Sequence, residues 1–415
     1  METTNRLLED MDRRRDELFA LAEELIAAPS QNPPGIVTDA AAVAQRYLTR
    51  CGIPHDIVTP APGRENVVAR IETGVPGPHI LLNAHLDVFP FEILDDDDPV
   101  EPAAPRDEAS WRPRISGRGA VDMKGGATAF MFVAGSVNRI KSSLSGSVTL
   151  ILVCDEETAG PFGSKYLIEH HPEVLADVVL SSEPSSSGLV RYGEKGLNIG
   201  KAFFVGPTGH GAYPNVQPNP IVQAAAFVRD LDDVVATFPV PPQAIDPDYD
   251  RRFDAALGDG SSDALRRIVL NIGRIEGGVK HNMKPKRCTV DVDIRTPIGV
   301  DSRSLVEAVC ATAAKHGGEY REVESGDANV SDTDLPLFHA LRSAVATVTN
   351  REPMLSVGLG ATDCRLWRRR GIPAAVYGPD PSTMATDNEY VDADELLNVA
   401  KVHALTCLTL LTPIA

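Results

Sequence analysis

The 415-residue chain has no C-x-x-C pair; its six cysteines, at 51, 154, 288, 310, 364 and 407, stand far apart. That excludes a zinc ribbon and a disulfide scaffold and points to reduced thiols in a cytosol. Basic residues are also in short supply. Forty Lys and Arg face 58 Asp and Glu, a formal net charge of −18. A polyanion such as nucleic acid needs a basic face, so that partner is excluded, although one placed Arg can still bind a small anionic substrate. No apolar h-region follows Met1, and no later run reaches the roughly 18 uninterrupted apolar residues of a membrane span. The expectation is a soluble cytoplasmic protein with no membrane partner. Internal repeats and low-complexity tracts are absent as well, and the length favours two domains over one.

What is present is organised around residues 78–128. An apolar run ends in His85-Leu86-Asp87, and after an acidic, proline-rich detour the chain resumes as Gly117-Arg118-Gly119-Ala120-Val121-Asp122. A buried strand that delivers His and Asp at its end suits a metal site. The imidazole ligates, and a carboxylate holds the ring by its other nitrogen or serves as a further ligand. The acidic run at 95–98 reads as a solvated surface loop.

Hydrophobic periodicity predicts helices over 3–28, 39–51, 124–140 and 163–170, and strands over 56–58, 66–71, 79–84, 147–154 and 177–180. The last two strands end in Asp155-Glu156-Glu157 and Ser181-Ser182-Glu183. Strands that alternate with helices and end in His or carboxylates predict an α/β fold with a mostly parallel sheet, whose carboxyl edge forms the ligand crevice. From 196 the texture changes to strand 197–205, helix 219–234, a long polar connection to 263, strands 266–276 and 287–295, helix 302–316 and strand 319–323. This order predicts an inserted ferredoxin-like α+β domain over 196–326, between catalytic segments 1–195 and 327–415. Helix 334–349, a basic helix to 370, strand 373–377 and helix 393–411 complete the expected fold.

The ordered motifs resemble the M20 metallopeptidase/aminoacylase family over nearly the whole chain. They are His85-Leu-Asp87, the Gly117–Gly126 stretch through Asp122, Asp155-Glu156-Glu157, Ser182-Glu183-Pro184, Gly209-His210-Gly-Ala-Tyr-Pro214, His281-Asn282, Asp293-Ile-Arg295-Thr-Pro297 and Ala361-Thr362-Asp363. Taken singly, a Glu-Glu pair is usually a solvated turn, and a lone His or Arg is more often structural. The resemblance implies a metal-dependent C–N hydrolase, an amidohydrolase that uses a metal-activated water. By the same resemblance Asp122 bridges two ions, His85 and Glu183 complete one shell, Glu157 ligates the second ion, and Asp87 orients His85. Glu156 is the general base, and His210 reaches in from a partner subunit's inserted lid domain to stabilise the oxyanion. Asn282 lies nearby, Arg295 grips a substrate carboxylate by its fork, and Thr362 lines the site. A homodimer or larger homo-oligomer follows from the role of His210.

The chain departs from the family where a His is expected four residues before Glu389. That position is Ala385, and no His occurs between His339 and His403. The expectation is therefore one divalent transition ion per subunit, Mn, Zn or Co, with Glu157 loosely engaged. Alternatively, Asp387 or Thr386 supplies an oxygen ligand. Two other readings stay open: an aminohydrolase that releases ammonia from a nitro-substituted aminobenzoate, and a non-catalytic metabolite-binding relative with a degenerate site.

Overall fold

The strand His79–His85 pairs in parallel with Ser147–Val153 on one side and Val178–Ser181 on the other. Its residues Ile80, Leu82 and Ala84 enter one hydrophobic core and Leu81 enters another. A strand covered on both faces needs that period of two. The computed structural model describes residues 2–90, 113–213 and 218–411, so the acidic run at 95–98 and Pro214 lie outside the described residues. The chain divides into two compact units, residues 1–192, 331–356 and 362–415 in the first, and 193–330 with 357–361 in the second.

In the first unit the sheet runs His55–Val58, Asn66–Glu72, Ser147–Val153, His79–His85, Val178–Ser181, Ala374–Val376 and Leu189–Glu194. Its centre is parallel, and its outer strands are antiparallel. Helices Arg15–Ala27, Thr38–Arg50, Lys124–Ile140, Pro336–Thr349 and Ala393–Leu411 supply the larger core on one face. Ser164–His170 and Cys364–Arg368 cover the other, where the buried Trp367 Nε1 donates to Asn83 Oδ1 at 2.8 Å. The N-terminal segment read as one helix is two, Glu2–Arg13 and Arg15–Ala27, broken at Arg14 with φ −102° and ψ 13°. Arg14 donates to Glu17, Asp10 and Ser136 Oγ, contacts that tie the break to the core helix.

The second unit holds a four-stranded antiparallel sheet in the order Val269–Gly277, Arg287–Thr296, Gly196–Val205, Gly318–Gly326. Helices Pro220–Thr237 and Ser302–Lys315 pack on it through Phe227, Leu231, Leu305 and Val309. This is the expected ferredoxin-like connectivity. The connection before 263 is not irregular, because it contains helices Pro247–Leu257 and Ser261–Arg266. Among the described residues no helix is long and apolar enough to cross a membrane.

Candidate metal centre

His85 ends the central strand and is fully buried. Its Nδ1 lies 2.8 Å from the backbone oxygen of Asp87. A proton on Nδ1 donated to that carbonyl leaves the Nε2 lone pair as the metal-facing donor. Nε2 faces Asp122 Oδ1 at 3.2 Å and Glu183 Oε1 at 3.4 Å. The carboxylate of Asp87, expected to hold the ring, stands 3.7 Å from Nδ1 and is committed elsewhere. Its two oxygens accept the backbone amides of Glu156 (3.2 Å) and Glu157 (3.1 Å), and Oδ2 also accepts Asn32 Nδ2 at 2.8 Å. Asp87 thus fixes the ring through its main chain and the Glu-Glu turn through its side chain.

That turn leaves the Ser147–Val153 strand through Asp155, whose φ of 67° is left-handed. Asp tolerates this region because its short side chain bonds locally. Asp155 Oδ1 accepts Thr158 Oγ1 (2.9 Å) and Arg64 Nη1 (3.3 Å), while Oδ2 accepts Phe162 N (3.3 Å). Asp122 sits on the turn that enters the Lys124–Ile140 helix. Its backbone amide and that of Val121 donate to Oε1 of the buried Glu389 at 3.2 and 2.9 Å. Glu389 Oε2 pairs with Arg118 Nη1 at 3.0 Å. Gly126, in the first turn of that helix, abuts the Ser182 carbonyl so closely that a Cβ would collide with it. A glycine there lets the helix bearing Asp122 approach the strand end bearing Glu183.

Two donor groups result, His85 with Asp122 and Glu157, and His85 with Glu156 and Glu183, each with its ligand atoms within 4.8 Å of one another. Burial and the neighbouring Asp363 raise Glu156 well above the usual carboxylate range, against the pull of His85 and Arg365. Burial and Asp122 do the same to Glu157, and push Glu183 up to about 7. Burial disfavours charge on His85 too, but Glu183, Asp122 and Glu157 outweigh it and hold the imidazole well above its ordinary value. Glu157 Oε1 is buried without a hydrogen-bond partner. Crowded buried carboxylates around one imidazole, with an oxygen left unsatisfied, fit a divalent cation. An N/O donor set suits Zn²⁺ or Mn²⁺.

Ala385 lies exposed on its loop at φ 60°. Asp387 is exposed and joins neither donor group among the described residues, and the Thr386 hydroxyl donates to Thr383 O at 2.9 Å. Thr362 is buried; its Oγ1 accepts the Cys364 amide at 3.1 Å. In the second unit, Met283 pairs with His210 in a two-stranded ribbon, and Gly211 N donates to Asn282 O at 2.8 Å, so His210 and Asn282 are neighbours. Arg295 forms a bidentate pair with Asp293, Nε to Oδ1 at 2.7 Å and Nη2 to Oδ2 at 2.9 Å. One edge of its fork is therefore already engaged by a carboxylate of the chain itself.

Local sequence pattern does not point to Glu389, Asn32 or Arg365 as parts of the site. In the sequence Glu389 marks only the register of its motif, because its partner Asp122 is 267 residues away. We expect Glu389→Ala to weaken Zn²⁺ binding by about 10- to 100-fold, the usual penalty for removing a support behind a ligand. Titration against a competing chelator checks this. An unchanged affinity would mean that the Asp122 turn needs no such anchor.

The profile of the peptidase family M20/M25/M40 matches residues 81–409. A succinyl-diaminopimelate desuccinylase of Gluconacetobacter diazotrophicus is 28% identical over 403 residues, covering 93% of this chain and 95% of the relative. Among solved structures, the dipeptidase Dug1p of Saccharomyces cerevisiae superposes with a TM-score of 0.78 at 18% identity, with 98% of each chain covered. The metallo-carboxypeptidase Sso-CP2 of Sulfolobus solfataricus gives 0.73 at 18%, covering 95% of this chain and 98% of its own. These two likenesses are of fold. The matched span takes in His85, Asp122, Glu156, Glu157 and Glu183, and on it the protein belongs to peptidase family M20/M25/M40 and is a metal-dependent amidohydrolase.

Proposed function

We propose that this enzyme hydrolyses an amide C–N bond in a small substrate that carries a carboxylate. The observation that carries the reading is the pair of adjacent amides, Glu156 N and Glu157 N, clamped by one Asp87 carboxylate. The clamp presents two neighbouring side chains to one site, of which Glu157 can ligate while Glu156 moves a proton. His85, Asp122 and Glu183 would hold one divalent ion, with Glu157 as an outer or looser donor. Such an ion supplies Lewis acidity toward a water and a carbonyl oxygen. Glu156 takes the proton of the attacking water as oxygen bonds to the carbonyl carbon, then delivers a proton to the departing nitrogen as the C–N bond breaks. His210 and Asn282, presented together on their ribbon, are assigned to the negative charge that develops on the carbonyl oxygen. We assign His210 to the site of a neighbouring subunit, which makes the working form at least a homodimer. Arg295 would receive the substrate carboxylate at the edge of its fork that Asp293 does not engage.

The desuccinylase relative supports an N-acyl substrate, while Ala385 favours counting one ion rather than two. Elemental analysis after dialysis against Zn²⁺ or Mn²⁺ should give one ion per subunit, and two equally tight ions would refute that count. A screen of N-succinyl and other N-acyl amino acids, N-carbamoyl amino acids, dipeptides and aminobenzoates, read as released amine or ammonia, tests the substrate class. Amine release from acylated amino acids or dipeptides is the expected result. Ammonia from an aminobenzoate alone would transfer the assignment to an aromatic aminohydrolase. Binding without turnover of any would leave a metabolite-binding relative.

A further inference from the structure

Arg365 lies on the short helix Cys364–Arg368, where the sequence Cys364-Arg365-Leu366-Trp367-Arg368-Arg369-Arg370 reads as a basic helix. Arg369 and Arg370 are exposed, but Arg365 is only 2% exposed. Its Nη1 donates to the Thr362 carbonyl at 2.6 Å, an anchor within its own loop. The same Nη1 stands 3.5 Å from Glu156 Oε1 and 3.9 Å from Asp363 Oδ1. Burying a guanidinium is costly unless it is paired, and the ion pair with Glu156 helps to offset that cost.

Glu156 is close enough to the cluster to be a ligand, because one of its oxygens lies within 4.8 Å of donor atoms of both His85 and Glu183. A carboxylate bound to an ion cannot accept the proton of a water, so something must hold this one back. We propose that Arg365 is a positioning residue that tethers Oε1 of Glu156, keeping that carboxylate a proton acceptor at the edge of the cluster rather than a further metal ligand. The inference rests on the reading of Glu156 as general base. Arg suits the task because a guanidinium stays protonated and never competes for the proton that Glu156 must take.

The tether makes a prediction that a merely structural role does not. Damage to the fold would weaken metal binding, whereas release of Glu156 toward the ion strengthens it. For Arg365→Met, Zn²⁺ affinity by competition with a chelating dye is expected to rise about three- to ten-fold, the scale of one added or repositioned donor. Its kcat on an N-succinyl amino acid is expected to fall about 100-fold with KM within about three-fold. Adding Glu156→Gln to that variant should abolish the affinity gain. Weaker or unchanged Zn²⁺ affinity in Arg365→Met, or a kcat within about three-fold of the parent, overturns the proposal. Should Arg365→Met not be recovered folded, Arg365→Lys decides. It keeps the charge but not the fork, so a kcat lowered about five-fold or more with Zn²⁺ content intact supports the tether, and parental kcat refutes it. If Glu156→Gln alone turns over at the parental rate, the base assignment falls, and the tether with it. If Glu156→Gln is inactive while Arg365→Met binds Zn²⁺ no more tightly, only the tether falls.

Discussion

Glu156→Gln is expected to lower kcat by about three orders of magnitude, the upper part of what a positioned general base contributes. The substitution is nearly isosteric. Gln keeps the shape of the side chain beside Arg365 Nη1, now 3.5 Å from the Glu156 oxygen, and the backbone amide still donates to Asp87 Oδ1. The turn that also carries Glu157 should therefore stay in place, and Zn²⁺ content and the KM for an N-acyl amino acid should change little. What is lost is a lone pair able to take a proton. The measurement is kcat and KM beside elemental analysis on the same preparation. A variant that hydrolyses at the parental rate would remove Glu156 from the mechanism. One that loses rate and metal together would make it a ligand instead.

Much of this site is legible in the sequence, and the reason is geometrical. Parallel strands end on one edge, so His85, Glu156, Glu157 and Glu183, each just beyond an apolar run, had to converge. Sequence signals that report local pattern also placed the Lys124–Ile140 and Ala393–Leu411 helices. The supports behind the ligands were not legible, because each depends on a partner distant in the chain. Asp87 meets an amide 70 residues on, and Glu389 one 267 residues back. Periodicity also cannot tell which Arg of a basic helix finds a buried acid, so Arg365 read like Arg369. The helix Pro247–Leu257 is hard to read for another reason. Pro247 occupies its first turn, where a missing N–H costs nothing, and Asp246 caps it by accepting Asp248 N and Tyr249 N. A proline read as a loop marker was a helix start.

The stabilisation conferred by Zn²⁺ is expected to grow as pH rises from about 5 to 8, measured as the gap in urea midpoint between Zn²⁺-loaded and chelated protein. The sign follows from the site. In the chelated protein Glu156, Glu157, Glu183 and His85 all have folded pKa values above their unfolded ones. The folded state then binds more protons than the unfolded, so each group's contribution is complete below its unfolded pKa and is lost as pH climbs through the folded value. For Glu183 that window runs from 4.5 to about 7. It corresponds to a loss on the order of 3 kcal/mol for this one group. A bound divalent ion takes the place of those protons, so the loaded form is spared the loss. Comparing the two forms is essential because other groups oppose the trend. His403, buried against Tyr377 O and pushed down to about 4, adds stability as pH rises through the same range. It belongs to neither donor group, so it should cancel in the difference. A gap that stays constant or shrinks with pH would mean that these carboxylates do not share one desolvated cluster, and the candidate centre would have to be redrawn around fewer of them.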